Sequence, residues 1–216
     1  YQPYADDIMT NLVADIKVLV PRYVRISRVL RDIPSKFIVA GLRDSLRDVV
    51  KQRMKEQATE CRCIRCREYG HRARAGWEIG EPQLVRMDYQ ASGGKEVFLS
   101  FEDERETLFG LLRMRIQSEL IARLGLFQAE SAGTSPRESF QNEPVGNLAL
   151  TSTNIALVRE LHIYGPEVPL REQNPTATQH KGLGKALLRE GERIAREEFQ
   201  AQQMVVLSGT GAKEYY

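Results

Sequence analysis

The stretch that decides the fold is Gln179-His180-Lys181-Gly182-Leu183-Gly184, which opens a segment of helical periodicity at residues 182–203. Two glycines separated by one residue let backbone N–H groups approach a phosphate closely, and the start of the following helix adds free N–H donors and partial positive charge. Strands are predicted on both sides, at residues 156–164 and 204–208. The P-loop pattern and the three-glycine dinucleotide pattern do not fit this stretch. It therefore predicts a diphosphate site at the start of a helix in an α/β domain.

The residues before this stretch supply the rest of a sheet. Apolar and polar residues alternate at residues 83–89, 95–102 and 107–116, which predicts three strands, the last two joined as a hairpin. Residues 131–147 are rich in Ser, Gly, Pro and Asn and predict a loop insertion, and a last helix is predicted from residue 212. The sequence therefore predicts a mixed sheet flanked by helices.

The first third of the chain has a different pattern. Helical spacing of apolar residues predicts helices at residues 4–20 and 42–58, and alternation of apolar and basic residues predicts a short strand at 23–29. No apolar run approaches the length that a bilayer requires, so no membrane association is expected. The sequence has no secretory signal at its start, and we expect a cytoplasmic protein, cut at both ends.

An unusual loop is predicted at residues 61–71, with the pattern Cys61-x-Cys63-x2-Cys66-x4-His71. Three thiolates and an imidazole suit tetrahedral zinc, although another residue or a water could take the place of His71. The alternatives are three reduced cysteines without an ion and a disulfide that leaves one thiol over. Because arginines surround the loop, we interpret the metal as structural, holding a basic loop for RNA.

The net charge of +2 conceals an uneven distribution, because residues 17–74 hold 16 Lys and Arg against 6 Asp and Glu. A basic block of this density attracts polyanions, most commonly nucleic acid, although a solvated face with scattered arginines is the alternative. The residues predicted to contact nucleic acid are Arg25, Arg28, Arg31, Arg43, Arg47, Lys51, Arg62, Arg65, Arg67, Arg72 and Arg74.

The pattern Gln179-x-x-Gly182-x-Gly184 resembles the pyrophosphate loop of the GCN5-related acetyltransferases. Further segments resemble the catalytic subunit of the elongator complex, among them Arg159-Glu160-Leu161-His162-Ile163-Tyr164-Gly165, Phe98-Leu99-Ser100-Phe101-Glu102-Asp103 and Lys213-Glu214-Tyr215-Tyr216. They occur in that family's order, and the resemblance covers most of residues 13–216.

This resemblance implies the fold class and the domains. Residues 81–216 would form a GCN5-related acetyltransferase domain of α/β (α+β) class, truncated at its C-terminus. Residues 1–34 would be the last piece of a radical S-adenosylmethionine domain, and residues 35–80 a basic linker with the zinc loop. The family's Cys-x4-Cys-x2-Cys iron–sulfur motif does not occur among the three cysteines here. S-adenosylmethionine and the 4Fe-4S cluster would therefore belong to a missing N-terminal domain.

The same resemblance implies an acyltransferase, a tRNA carboxymethyluridine synthase that modifies the wobble uridine 34 with acetyl-CoA. Tyr215 or Tyr216 would protonate the departing thiolate. Glu160 could be a general base or a structural carboxylate bound to an arginine. The residues implied to hold acetyl-CoA are Glu160, Leu161, His162, Ile163, Gln179, His180, Lys181, Gly182, Leu183, Gly184, Lys185 and Tyr216.

The expected partners are tRNA, acetyl-CoA, the missing radical domain, and other elongator subunits or a second copy of the chain. Two alternatives remain open. One is a protein lysine acetyltransferase, against which the basic block argues because it would repel a lysine-rich substrate. The other is a non-catalytic, zinc-stapled RNA-binding module.

Overall fold

The structure is a computed structural model that describes residues 4–29, 35–38, 41, 45–117, 154–165, 182–206 and 208. The predicted loop at residues 131–147 and the predicted helix from residue 212 lie outside the described residues. The chain divides into two compact units, of which the first contains residues 1–83, 101–109 and 164–179 and the second contains residues 84–100, 110–163 and 180–216.

Two amphipathic helices form the core of the first unit. Helix α1 is Asp6–Leu19 and helix α2 is Leu46–Glu56, so both predicted helices are confirmed. Leu46, Val50 and Met54 recur every fourth residue and are buried together with Ala14 of α1. Pro21 follows the end of α1, where its ring excludes a further helical turn. A short 3-10 turn, Ser35–Phe37, lies between the two helices in sequence.

The strand predicted at residues 23–29 is wrong, because this segment is irregular. Its backbone groups bond to the cysteine segment and not to a neighbouring strand: the Val24 carbonyl accepts a hydrogen bond from the Ile64 N–H at 2.9 Å. The backbone of Ile26 also bonds to the Cys63 sulfur. The predicted loop at residues 61–71 is likewise corrected, since it contains the short helices α3, Ile64–Arg67, and α4, Tyr69–Arg74.

A mixed five-stranded sheet together with the helices confirms the predicted α/β class. Its strands, in spatial order, are β1 Gln83–Ala91, β2 Gly94–Glu102, β3 Leu108–Gln117, β4 Ile155–Ile163 and β5 Gln203–Val206. Strand β3 pairs with β4 antiparallel, and β4 pairs with β5 parallel. Ser92 and Gly93 join β1 to β2 with φ of 48° and 72°, the two positive values of a type I′ hairpin turn.

Helix α5, Leu183–Arg193, packs against β4 and continues as a π-helical turn, Ile194–Glu198. The predicted helix at residues 182–203 therefore ends early, because the Ala201 N–H bonds to the Ala195 carbonyl and closes the last turn. Strand β5 is half-buried. None of the helices in the described part of the chain has the length and apolar character that a membrane crossing requires.

Gly110 lies on β3 opposite Ile163 of β4. A Cβ atom there would stand 2.6 Å from Ile163 Cδ1 and 2.9 Å from the His162 carbonyl oxygen. We expect Gly110→Ala to lower the free energy of unfolding by about 1–3 kcal/mol, because the strand backbone must move. Gly191→Ala is the matched control in urea denaturation, since its Cβ would meet Leu112 at an ordinary 3.4 Å. Equal losses in the two variants would contradict the steric explanation.

Asp103 holds the turn between β2 and β3. Its Oδ1 accepts hydrogen bonds from the N–H groups of Arg105 at 3.0 Å and Thr107 at 2.7 Å, and its Oδ2 accepts one from Gly80 at 3.0 Å. Burial opposes ionisation, but these N–H donors outweigh it and hold the pKa of Asp103 below its ordinary value of 3.8.

This lowered pKa predicts acid sensitivity of the first unit. The stabilisation is present above the unfolded-state pKa of Asp103 and is lost as the pH falls through the lower folded-state pKa. We expect Asp103→Asn to be about 1–3 kcal/mol less stable at pH 7 and to show a flatter acid dependence. Urea midpoints measured between pH 7 and pH 2 test this, and identical acid profiles for both proteins would contradict it.

Candidate functional site

One edge of β4 carries four of the residues that the sequence assigned to the cofactor. The described pairing of β4 with β5 runs from Ile155 opposite Gln203 to Val158 opposite Val206. Glu160, Leu161, His162 and Ile163 lie beyond the last of these pairs, and His162 is exposed. An extended ligand can add to such a strand by main-chain hydrogen bonds.

The start of α5 belongs to the same unit. Gly182 precedes the helix in the left-handed conformation, with φ of 71°, and its carbonyl accepts the N–H of Ala186 at 3.0 Å. Leu183 and Gly184 are buried, whereas Lys185 is exposed. The first turn holds no acidic residue, so its positive end would attract an anion. Gln179, His180 and Lys181, also predicted to bind the cofactor, lie outside the described residues.

Glu160 is bound to an arginine, which agrees with the second of the two roles considered for it. The Arg113 Nε donates to Glu160 Oε2 at 3.2 Å, and the same guanidinium donates to the Tyr89 hydroxyl at 2.8 Å. The Nε2 of His162 stands 3.5 Å from the other Glu160 oxygen. The Glu160 carboxylate is thus already engaged as the acceptor of an arginine hydrogen bond. Tyr215 and Tyr216, the predicted acids, lie outside the described residues.

The three cysteines come together in the first unit. Their sulfur atoms all lie within 4.8 Å of one another, and the thiols are free, not paired as a disulfide. Sulfurs around a tetrahedral zinc ion stand about 3.8 Å apart, given zinc–sulfur bonds of about 2.3 Å. The cluster therefore fits zinc with small movements of the side chains.

Hydrogen bonds within the cluster already favour one thiolate. The thiols of Cys61 and Cys66 donate to the Cys63 sulfur, which lowers the pKa of Cys63 although burial opposes it. The hydrogen bond to Cys63 raises the pKa of Cys61, and the hydrogen bonds to Cys61 and Cys63 raise the pKa of Cys66. A divalent cation would take the place of the two shared protons, which is the usual linkage between metal binding and proton release.

His71 is not part of the thiol group, contrary to the predicted ligand set. Helix α4 places its Nε2 3.6 Å from Glu68 Oε2, and its Nδ1 lies 3.5 Å from a guanidinium nitrogen of Arg74. Burial lowers the pKa of His71, with the nearby arginines Arg65 and Arg74 acting in the same direction against Glu68.

Arg67 holds the cysteine segment in place, a role that the sequence analysis did not identify. Its side chain is 0% exposed and forms an ion pair with the buried Glu102 at 2.8 Å. Its Nε donates to the Arg62 carbonyl at 2.9 Å, and its Nη2 donates to the Arg22 carbonyl at 2.9 Å. Arg62 lies between Cys61 and Cys63, so these bonds fix the backbone that carries the thiols.

Two of the predicted nucleic-acid contacts are therefore wrong. Arg67 is enclosed as described, and Arg72 is buried with its guanidinium 4.3 Å from the centre of the Trp77 ring. The Arg72 guanidinium also donates to the Arg105 carbonyl, and burial lowers its pKa. Neither cation is free to reach a phosphate in this conformation.

The other predicted bases differ in how far they are engaged. Arg28, Lys51 and Arg74 are exposed, and Arg65 and Arg47 are half-buried. Arg25 forms an ion pair with Glu68, and Arg62 forms one with Glu106. Arg31 and Arg43 lie outside the described residues.

A second charged group, on β2, β3 and β4, was also not predicted. Glu96 is buried, and its Oε1 accepts from Arg115 at 3.1 Å and from Arg159 at 2.6 Å. These residues are far apart in sequence, so only the sheet register brings them together. The signal available beforehand was that Glu96 is one of two carboxylates in a strand of mostly apolar residues.

Comparison with known proteins finds relatives that match the whole of this chain. No family model matches the chain. The chain is 53% identical over 216 residues to the tRNA uridine(34) acetyltransferase of Dehalococcoides mccartyi (strain CBDB1), covering 100% of this chain and 42% of the relative. It is 39% identical over 223 residues to elongator complex protein 3 of Homo sapiens, covering 100% of this chain and 36% of that protein. The chain thus spans less than half the length of these relatives.

A solved structure of a similarly named protein has a fold similar to that of this chain. The archaeal Elp3 of Methanocaldococcus infernus, with its N-terminus deleted, matches with a TM-score of 0.73 and 35% identity, covering 100% of this chain and 46% of that one. Identity at this level over the whole chain, together with a shared fold, is not explained by convergence. The whole of this chain is therefore homologous to part of the elongator complex protein 3 and tRNA uridine(34) acetyltransferase proteins, as its sequence resemblance indicated.

Proposed function

We propose that this chain is the acetyl-CoA-binding and tRNA-docking part of an enzyme that forms 5-carboxymethyluridine at uridine 34 of tRNA. The observation that carries the proposal is the 53% identity, over every residue of the chain, to a protein named tRNA uridine(34) acetyltransferase. Because the chain covers 42% of that relative, the radical step is assigned to the remainder of the protein. S-adenosylmethionine and a 4Fe-4S cluster would be bound there.

The acetyl-CoA site would combine residues 160–163 of β4 with the start of α5. The pantetheine arm would add to β4 along residues 160–163 as an extra strand, using main-chain groups. The diphosphate would lie at residues 179–185, where the left-handed Gly182 and the buried Gly184 let the backbone approach closely. Residues 81–216 would then form an acetyltransferase domain of the GCN5-related type, following a linker at 35–80 and the end of the radical domain at 1–34.

Proton transfer at the thioester is assigned to Tyr215 or Tyr216. As the thioester carbon–sulfur bond breaks, the tyrosine hydroxyl would give its proton to the departing CoA sulfur. Glu160 would serve as a structural carboxylate, because it is already engaged by Arg113.

Zinc would be held by Cys61, Cys63 and Cys66, with the fourth position open to a water or another residue. A structural zinc site built on thiolates would supply folding energy and no chemistry of its own. The nearby exposed bases Arg28, Lys51 and Arg74 would contact tRNA phosphates, giving salt-dependent binding without sequence preference. Other elongator subunits or a second copy of the chain are further proposed partners, in the cytoplasm.

Release of free thiol from acetyl-CoA, with and without tRNA, tests the proposed function. We expect turnover that tRNA stimulates and that Tyr215→Phe or Tyr216→Phe abolishes, which would identify the acid. Turnover that ignores tRNA but rises with lysine peptides would point to a protein acetyltransferase. Tight acetyl-CoA binding without turnover would leave a binding module that depends on the radical domain.

A further inference from the structure

A β-bulge interrupts the pairing of β3 with β4. Arg113 is opposite Glu160, whereas the next residue, Met114, is opposite Val158, so Arg159 is the extra residue on β4. A bulge bends its strand and changes the direction of the side chains that follow. This bulge directly follows the last described pair of β4 with β5, at Val158 and Val206. It therefore lies between the part of β4 that is described as pairing with β5 and residues 160–163, which pair with β3.

The extra residue is anchored to a buried carboxylate. Arg159 Nη1 lies 2.6 Å from Oε1 of Glu96, which has Arg115 on the same oxygen at 3.1 Å. Among the described residues, Oε2 of Glu96 has no hydrogen-bond partner. The desolvation of a buried carboxylate is offset by the cations beside it, so Glu96 holds the Arg159 side chain in place.

We propose that Glu96 and Arg159 are positioning residues that fix the bulge and thereby direct residues 160–163 toward acetyl-CoA. The inference rests on the proposed function of this edge. Strand pairing has a period of two residues, so a slip of one residue would turn every side chain and every main-chain group after it to the opposite side. The ion pair opposes such a slip because Arg159 reaches Glu96 only when it is the residue that bulges.

Arg115 provides the matched control. It binds the same carboxylate oxygen from β3, but it is not part of the bulge. Its side chain is 15% exposed, against 46% for Arg159. If the three residues only stabilised the sheet, the effect of each substitution would follow its burial, and Arg115→Met would be the more damaging change in every measurement. The positioning role predicts the reverse order for cofactor binding.

Isothermal titration of acetyl-CoA into the full chain measures that order. We expect Arg159→Met to weaken Kd about tenfold and Arg115→Met to change Kd by less than about twofold, while Arg115→Met shows the larger fall in Tm. Glu96→Gln should follow Arg159→Met in Kd, and Glu198→Gln, an exposed carboxylate of the same unit, should match the wild type. A Kd for Arg159→Met equal to that of the wild type overturns the proposal.

Amide hydrogen exchange in the ligand-free protein gives a second readout that needs no cofactor. We expect the amides of residues 160–163 to exchange faster in Arg159→Met than in the wild type and to be unchanged in Arg115→Met. Unchanged exchange in Arg159→Met overturns the positioning role, whether or not acetyl-CoA binds. Absence of acetyl-CoA binding by the wild type, with the expected exchange pattern, would instead count against the proposed function alone.

Discussion

Replacing Arg67 by Met is expected to lower the free energy of unfolding by about 3–5 kcal/mol, a large share of the total for a domain. The change leaves the carboxylate of Glu102 buried with Arg22 as its remaining described ion-pair partner. It also removes the donors to the carbonyls of Arg22 and Arg62. Urea denaturation followed by circular dichroism measures the loss. Arg67→Lys should recover only part of it, because a single ammonium cannot make the forked set of contacts.

Arg62→Met is the matched control for that prediction. Arg62 also pairs with a carboxylate of the same turn, Glu106, but its side chain is 51% exposed. Solvent screens such a pair, so the expected change is within about 1 kcal/mol. Similar losses for Arg62→Met and Arg67→Met would show that burial does not decide the effect and would refute the role given to Arg67.

The second large expected effect is the loss of zinc, and of the stability that zinc provides, when the cysteine cluster is altered. We expect the purified chain to contain one zinc ion and Cys63→Ser to contain none, because Cys63 is the buried centre of the three thiols. At a free zinc concentration about 1,000 times Kd, binding would stabilise the folded state by about 4 kcal/mol, which the variant loses. Zinc content by atomic absorption and Tm with and without a chelator measure both quantities.

His71→Ala distinguishes the ligand set. Its imidazole is directed at Glu68, so we expect the variant to keep its zinc. Loss of zinc in His71→Ala would restore the histidine to the ligand set. A wild-type chain whose Tm ignores zinc and chelator alike would show that the three thiols are reduced cysteines without an ion.

Local pattern predicted most of the described elements, and it failed where long-range contacts decide the conformation. The apolar spacing of helices α1 and α2 and of the strands can be recognised within each segment, without knowledge of its partners in the fold. The segment at 23–29 has the alternation of a strand, yet its backbone bonds go to Ile64 and Cys63. The helix from Gly182 was predicted too long because no Gly or Pro between residues 192 and 203 marks its end.

The candidate sites divide in the same way. The three thiols lie within six residues of one another, so their spacing alone predicted a cluster. The ion pair of Arg67 with Glu102 and that of Glu96 with Arg159 join residues that are distant in sequence. Strand register and chain reversal bring these residues together, so their spacing in sequence did not predict the pairs. Composition counted these arginines as free basic charge, whereas the fold uses several of them as buried partners of carboxylates.

The first unit is built from three separate stretches of the chain, residues 1–83, 101–109 and 164–179. Arg22 pairs with Glu102, the carboxylate that also binds Arg67, although 80 residues separate Arg22 from Glu102 in sequence. Arg25 donates a hydrogen bond to the hydroxyl of Tyr164, which is 139 residues away in sequence. During translation helices α1 and α2 and the cysteine segment leave the ribosome well before Glu102 is synthesised. The first unit can therefore complete its folding only late in synthesis. Truncations designed between residues 84 and 101 remove Glu102 while retaining Arg67, and such fragments should be recovered from cells as insoluble material.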